Sequence, residues 1–240
     1  MAASPLARLT PIPGHQQNGR PAAVDLVESE LPASIISQMT ARDAIAPPDA
    51  VERSLEVSAA LDVRFHTLRG DSVVTNKERA FRELFRALET NRIEYALIGG
   101  LAVQLCGEEA RTTLDIDVAV KSYDSLPRPA LEAAGFRFLG RHAHSENWTG
   151  PDDTPVQFSD DPAFARAIET AEPRRFEESI VRVATAAELV HSKLRAAGDD
   201  ARRRSKRLRD LADAQALLEL HPEVSTSLTE AERAVLSRAL

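Results

Sequence analysis

Asp115 and Asp117 are separated by one residue in the alternating run Leu114-Asp115-Ile116-Asp117-Val118-Ala119-Val120. In a strand, successive side chains point to opposite faces, so this spacing predicts both carboxylates on one face and Leu114, Ile116 and Val118 on the other. Two acids so placed form a clamp for a hard divalent cation such as magnesium, which takes one or two carboxylates and completes its shell with water and substrate phosphates. Taken alone, the pattern also describes a solvent-facing strand with alternating acids. Upstream, Gly99-Gly100 joins the apolar run Tyr95-Ala96-Leu97-Ile98 to a stretch of helical spacing. Glycine at such a junction lets the chain turn tightly and brings backbone N–H groups and a helix N-terminus close to a phosphate. Without the acids, the same pair reads as a turn.

The elements that must position these residues follow from periodicity. Thr75 with Glu78 three residues on has the pattern of a capping box, and Phe81, Leu84, Phe85 and Leu88 follow at helical spacing until Asn91 and Arg92. Residues 95–98 read as a buried strand, 101–106 as a short helix and 114–120 as the strand carrying the acids. Beyond them a helix over 129–134 closes at Gly135, and strands over 136–139 and 156–158 flank a polar loop. A helix over 161–171 and a strand over 180–183 come next, then helices over 186–197, 208–220 and 229–240. Helices and strands alternating in this way predict an α/β (α+β) domain with a small mixed β-sheet flanked by helices and a helical C-terminal part. Four segments are expected: a disordered tail at 1–33, rich in Pro, Ala, Gly and Gln; a helical or partly ordered extension at 34–74, interrupted at Pro47-Pro48; a core at 75–185; and a helical region at 186–240.

Composition limits the remaining choices. With 240 residues and 43% hydrophobic content, the chain can bury a core. A formal net charge of -7 provides no whole-protein footprint for nucleic acid, so any contact with tRNA or other RNA must be local. The run from Arg202 to Arg209 is the place for it, or for an acidic protein partner; a solvated helix connection is the alternative reading. Cys106 is the only cysteine, which excludes an intramolecular disulfide and a thiolate zinc site and suits a reducing cytosol. No apolar run approaches the roughly 20 residues needed to span a bilayer. His142 and His144 with Glu146 are a weak metal candidate, loop surface being the other reading.

Taken together, the Gly-Gly turn, the short helix and the Asp-x-Asp strand resemble the nucleotidyltransferase superfamily of the polymerase-beta type. Glu94-Tyr-Ala-Leu-Ile-Gly-Gly-Leu-Ala-Val103 followed by Arg111-Thr-Thr-Leu-Asp-Ile-Asp-Val118 looks like small bacterial members related to abortive-infection and toxin–antitoxin enzymes. Val181 to Leu194 and then Arg207-Leu-Arg-Asp-Leu-Ala-Asp213 are similar to their later strand, Lys-bearing helix and Asp-Leu-Ala-Asp helix. The resemblance implies that Asp115 and Asp117 hold magnesium and serve catalysis. It also implies that Gly99 and Gly100, with Arg111, Thr113 and Lys193, bind a nucleoside triphosphate. Lys193 lies on the apolar side of its helix, where its ammonium needs a phosphate or a core carboxylate. Active members carry a third carboxylate on a neighbouring strand; the aligned residue here is Gln157, which brings no charge and cannot act as a base. Asp152, Asp153, Asp160 and Asp161 are the possible substitutes, although Asp161 before Pro162 also has the pattern of a cap. The expected activity is magnesium-dependent transfer of a nucleoside monophosphate from an NTP to RNA, protein or a small molecule. The rival expectations are a catalytically inactive binding module of the same fold, within a toxin–antitoxin or phage-defence system, and a structural adaptor using the basic helix.

Overall fold

The computed structural model describes residues 53, 55–56, 77–107, 113, 115–142, 144–176 and 179–238. The expected tail, most of the extension, the Thr75 cap, Arg111 and Leu114 lie outside the described residues.

Helix α1 (Lys77–Thr90) forms where the apolar spacing predicts it, and Phe81, Leu84, Phe85 and Leu88 are all buried. Its aromatic stripe packs onto the sheet: the Phe85 ring lies 5.3 Å from Tyr95 and the Phe81 ring 5.0 Å from Phe176. Strand β1 (Tyr95–Ile98) is buried throughout, which explains its unbroken apolar sequence. It runs directly into α2 (Gly99–Cys106), and the chain returns as β2 (Ile116–Val120). Then follow α3 (Arg128–Ala133), β3 (Arg137–His142), β4 (Ser145–Thr149), β5 (Pro155–Ser159) and α4 (Ala165–Glu169). Strands β6 (Glu172–Phe176) and β7 (Ser179–Val183) complete a seven-stranded mixed sheet of order β3-β4-β5-β2-β1-β7-β6. Strand β1 is antiparallel to β2 and parallel to β7, while β2 is parallel to β5.

Helices α5 (Ala186–Gly198), α6 (Arg204–Leu220) and α7 (Glu230–Ser237) end the chain. Thr185 caps α5, and Thr229 with Glu232 forms a capping box on α7. Leu189, Val190, Leu194, Ala214 and Leu217 belong to the same buried cluster as the strands. The chain thus adopts the expected α/β class, with a mixed sheet, flanking helices and a helical C-terminal part. Among the described residues no helix is long and apolar enough to cross a membrane.

Several local expectations need correction. The polar loop between the predicted strands is a hairpin, β3 with β4, and Glu146 within it is fully buried. Arg128 and Arg141 both pair with that carboxylate and Trp148 Nε1 donates to it at 2.9 Å, which lets a charged strand residue face the core. Strand β6 was not expected at all: it contains Pro173 and charged residues, which only an edge strand tolerates. Residues 161–171 contain a 3-10 turn (Pro162–Phe164) before the short α4, and most of the basic run, from Arg204 on, forms the first turns of α6 instead of a connection.

Candidate active site

The turn from β1 into α2 closes directly on the acidic strand. Ile98 is extended, with φ -126, and Gly99 takes φ +68, a left-handed conformation that L side chains rarely adopt. Ile98 stands opposite Asp117 in the β1–β2 ladder. A Cβ added to Gly99 would lie 1.9 Å from Oδ2 of Asp117, and one added to Gly100 would lie 2.6 Å from Oγ1 of Thr113. Both glycines are therefore required by close approach of the backbone to side chains, as well as by the turn. The Gly100 N–H donates to the Asp117 carboxylate.

Alternation along β2 separates core from site. Ile116 and Val118 are fully buried, whereas Asp117 is half-buried and Asp115, just before the strand, is exposed. Burial and the neighbouring charge of Asp115 push the Asp117 carboxyl up to about 6, against the opposing pull of Lys193, the Gly100 N–H and Lys206. Two carboxylates in mutual repulsion beside a glycine turn are a donor set that fits one magnesium ion, with water and phosphate oxygens filling the remaining positions. Thr113 is half-buried, and its carbonyl accepts from Nζ of Lys77, which is itself fully buried at the start of α1. Sequence reasoning missed Lys77, because a lysine in the first turn of a helix is ordinarily solvated.

The strand beside β2 carries the departure from the family pattern. Gln157 stands directly beside Asp117 in the β2–β5 ladder, and Asn147 stands beside Gln157 in the next. The Gln157 amide donates to Oγ of Ser145, and that hydroxyl donates to Oδ1 of Asn147 at 3.2 Å. A neutral polar shelf of Gln157, Ser145 and Asn147 thus occupies the place beside Asp117 where a third acid would stand. Among the described residues no group of three or more His, Cys, Asp or Glu side chains is arranged to hold a metal. Asp161 acts as a cap, accepting from the Ala163 N–H at 2.9 Å. Asp160 lies beyond the C-terminal end of β5, 3.4 Å from His144, while Asp152 and Asp153 are exposed in a turn. Since Glu146 is bound by arginines, it is not a ligand partner for His142 and His144.

Lys193 finds carboxylates. Its Nζ lies 2.9 Å from Asp210 and 2.8 Å from Asp213, and Arg202 Nε binds the other oxygen of Asp210 at 2.8 Å. This pairing satisfies the buried ammonium, while its charge still acts on Asp117.

The mixed sheet thus brings the Gly-Gly turn against the Asp-x-Asp strand. Residues 133–239 match the family described as "Nucleotidyl transferase AbiEii toxin, Type IV TA system". That match begins after the Gly-Gly and Asp-x-Asp segments. Comparison with curated proteins gives no match. Among solved structures, the antibiotic-resistance factor ANT(2'')-Ia is similar at 12% identity and TM-score 0.49, covering 68% of this chain and 90% of that one. An antigenic nucleotidyltransferase-like protein from Paracoccidioides brasiliensis is similar at 18% identity and TM-score 0.48, covering 69% and 88%. A putative nucleotidyltransferase from H. pylori shares 20% identity at TM-score 0.43, covering 62% and 69%.

Proposed function

We propose that the chain binds a nucleoside triphosphate with magnesium in the cleft between the β1–α2 turn and β2, and transfers the nucleoside monophosphate to an RNA, protein or small-molecule acceptor in the cytosol. The observation that supports this reading is the packing of the Gly99 backbone on Asp117, whose carboxylate also feels the charge of Asp115. Gly99 and Gly100 lie against the triphosphate, with Thr113, Arg111 and Lys193 contributing contacts or charge. Asp115 and Asp117 hold the magnesium, which supplies charge neutralisation on the phosphates when bound. An acceptor hydroxyl attacks the α-phosphorus in line, the bond to pyrophosphate breaks and the hydroxyl proton passes to solvent, so the protein's work is positioning and electrostatics. The test is incubation with each labelled triphosphate and magnesium, with and without tRNA, comparing wild type with Asp115→Ala and Asp117→Ala. Label transfer that depends on both acids supports the reading; equal transfer by the variants refutes it.

Gln157 favours a second reading, a nucleotide-binding member of a toxin–antitoxin system in which transfer is lost. The shelf beside Asp117 has no base to take the acceptor's proton. Calorimetry with a non-hydrolysable triphosphate separates the two: magnesium-dependent binding without label transfer supports the binding module, and absence of binding removes both readings.

A further inference from the structure

The C-terminal end of α5, the first turns of α6 and the far end of α7 enclose a cavity of about 250 Å³. Its lining combines the aliphatic Leu208, Leu211 and Val235 with Arg204, Arg207 and Arg238. Leu208 is 56% exposed, an aliphatic side chain open to solvent within a run of guanidinium groups. Arg207 is fixed, with Nε donating to the Ala197 carbonyl at 2.8 Å and Nη1 2.7 Å from Asp200. Arg204 and Arg238 are exposed and form no ion pair among the described residues. This cationic ring stands on a chain whose net charge is -7, so it is a local concentration against the overall sign.

We propose that this arginine-rimmed cavity is the docking site for an acidic protein segment that seats one large apolar side chain on Leu208, Leu211 and Val235 and presents carboxylates to Arg204 and Arg238. Size and charge select this occupant. The cavity is smaller than the roughly 300–1,000 Å³ of small-molecule sites, and matches a single anchoring side chain of the kind that dominates protein interfaces. Guanidinium groups bind carboxylates bidentately, which suits an acidic rim around an apolar anchor. Among the described residues its lining has no aromatic ring on which a nucleic-acid base would stack. The cavity lining shares no residue with the glycine turn or the acidic strand, and the proposal does not depend on nucleotide transfer.

The experiment uses the full chain and a fluorescein-labelled acidic peptide with a single central tryptophan among Glu and Asp residues, followed by fluorescence anisotropy. Two control peptides replace the tryptophan by alanine or the acids by glutamine, and labelled oligouridine is the competing probe. Saturable binding of the acidic peptide is expected, about tenfold weaker for either control peptide and for the Leu208→Asp variant. Leu208 is exposed, so its replacement leaves the core intact; Arg204→Glu/Arg238→Glu provides a second test and should prefer a lysine version of the peptide. The proposal is overturned by no binding of the acidic peptide, by binding indifferent to Leu208→Asp, or by oligouridine binding with the same dependence on Leu208.

Discussion

Placing a carboxylate at position 157 tests the site most directly. Gln157→Glu adds a charge on the strand next to Asp117, in register with it, where neighbouring strands lie about 4.8 Å apart. At that spacing, two unit charges repel by about 1–3 kcal/mol for an effective dielectric between 80 and 20. Both residues are half-buried, which places the value between these limits, at about 2 kcal/mol. The hydroxyl of Ser145 can rotate to donate to the new carboxylate, giving up its bond to Asn147, so one hydrogen bond is exchanged for another. Without magnesium, the melting temperature of Gln157→Glu should fall by about 4–8 °C for a folded unit of this size. With magnesium the loss should reverse, because a third carboxylate completes the cluster, and the increment on adding metal should exceed that of wild type. Differential scanning calorimetry with and without magnesium measures both quantities, with Gln157→Met as the uncharged control. If Gln157→Glu melts with wild type and gains no more from magnesium than wild type does, Asp115, Asp117 and position 157 do not face one site.

Other substitutions probe the supports of that site. Gly99→Ala forces a Cβ into a left-handed residue and against Asp117, so denaturant unfolding should show a loss of at least ~1–2 kcal/mol, with loss of magnesium-dependent triphosphate binding; wild-type stability would refute the strained turn. Lys193→Met leaves Asp210 and Asp213 without their shared cation, at a cost of about 3 kcal/mol because Arg202 still pairs with Asp210; Lys193→Met/Asp213→Leu should recover part of it, and a double variant worse than the single one would contradict the pairing. Burial alone would raise the Glu146 carboxyl, but hydrogen bonds from Arg128, Arg141 and Trp148 outweigh it and hold the value below the usual range. A lowered folded value contributes stability above the ordinary glutamate range that is lost as pH falls through the folded value. Glu146→Gln should therefore cost about 1.5 kcal/mol at neutral pH, discounted for the exposure of both arginines, and flatten the acid side of the stability profile; equal acid sensitivity in wild type and variant would sink this account.

What the sequence makes legible here is whatever local periodicity controls. Helix α1 and strand β1 follow from their apolar spacing alone, and the Gly-Gly and Asp-x-Asp segments declare themselves by residue type. Strand β4 does not, because Ser-Glu-Asn-Trp-Thr reads as polar until arginines from α3 and β3 are known to meet Glu146. Strand β6 is hidden by its proline and charges, which its edge position tolerates. Lys77 and the cavity beside Leu208 are also products of long-range packing, which no window of neighbouring residues contains.

The assignment of Gln157 gains most from the structure, because the sheet's register leaves it no freedom. Val156 and Phe158 on either side of it are buried, as are Ile116 and Val118 opposite them on β2 and Glu146 and Trp148 on β4. A one-residue slip of β5 would turn Phe158 toward the cleft and bury Gln157 among aromatic rings, since side chains alternate faces with a period of two. Trp148 packs edge-on against Phe158 with ring centroids 6.4 Å apart, a contact that such a slip would also break. The neutral residue beside Asp117 is thus fixed by the hydrophobic face of the sheet, and a change that supplies the third charge has to be made at Gln157 itself.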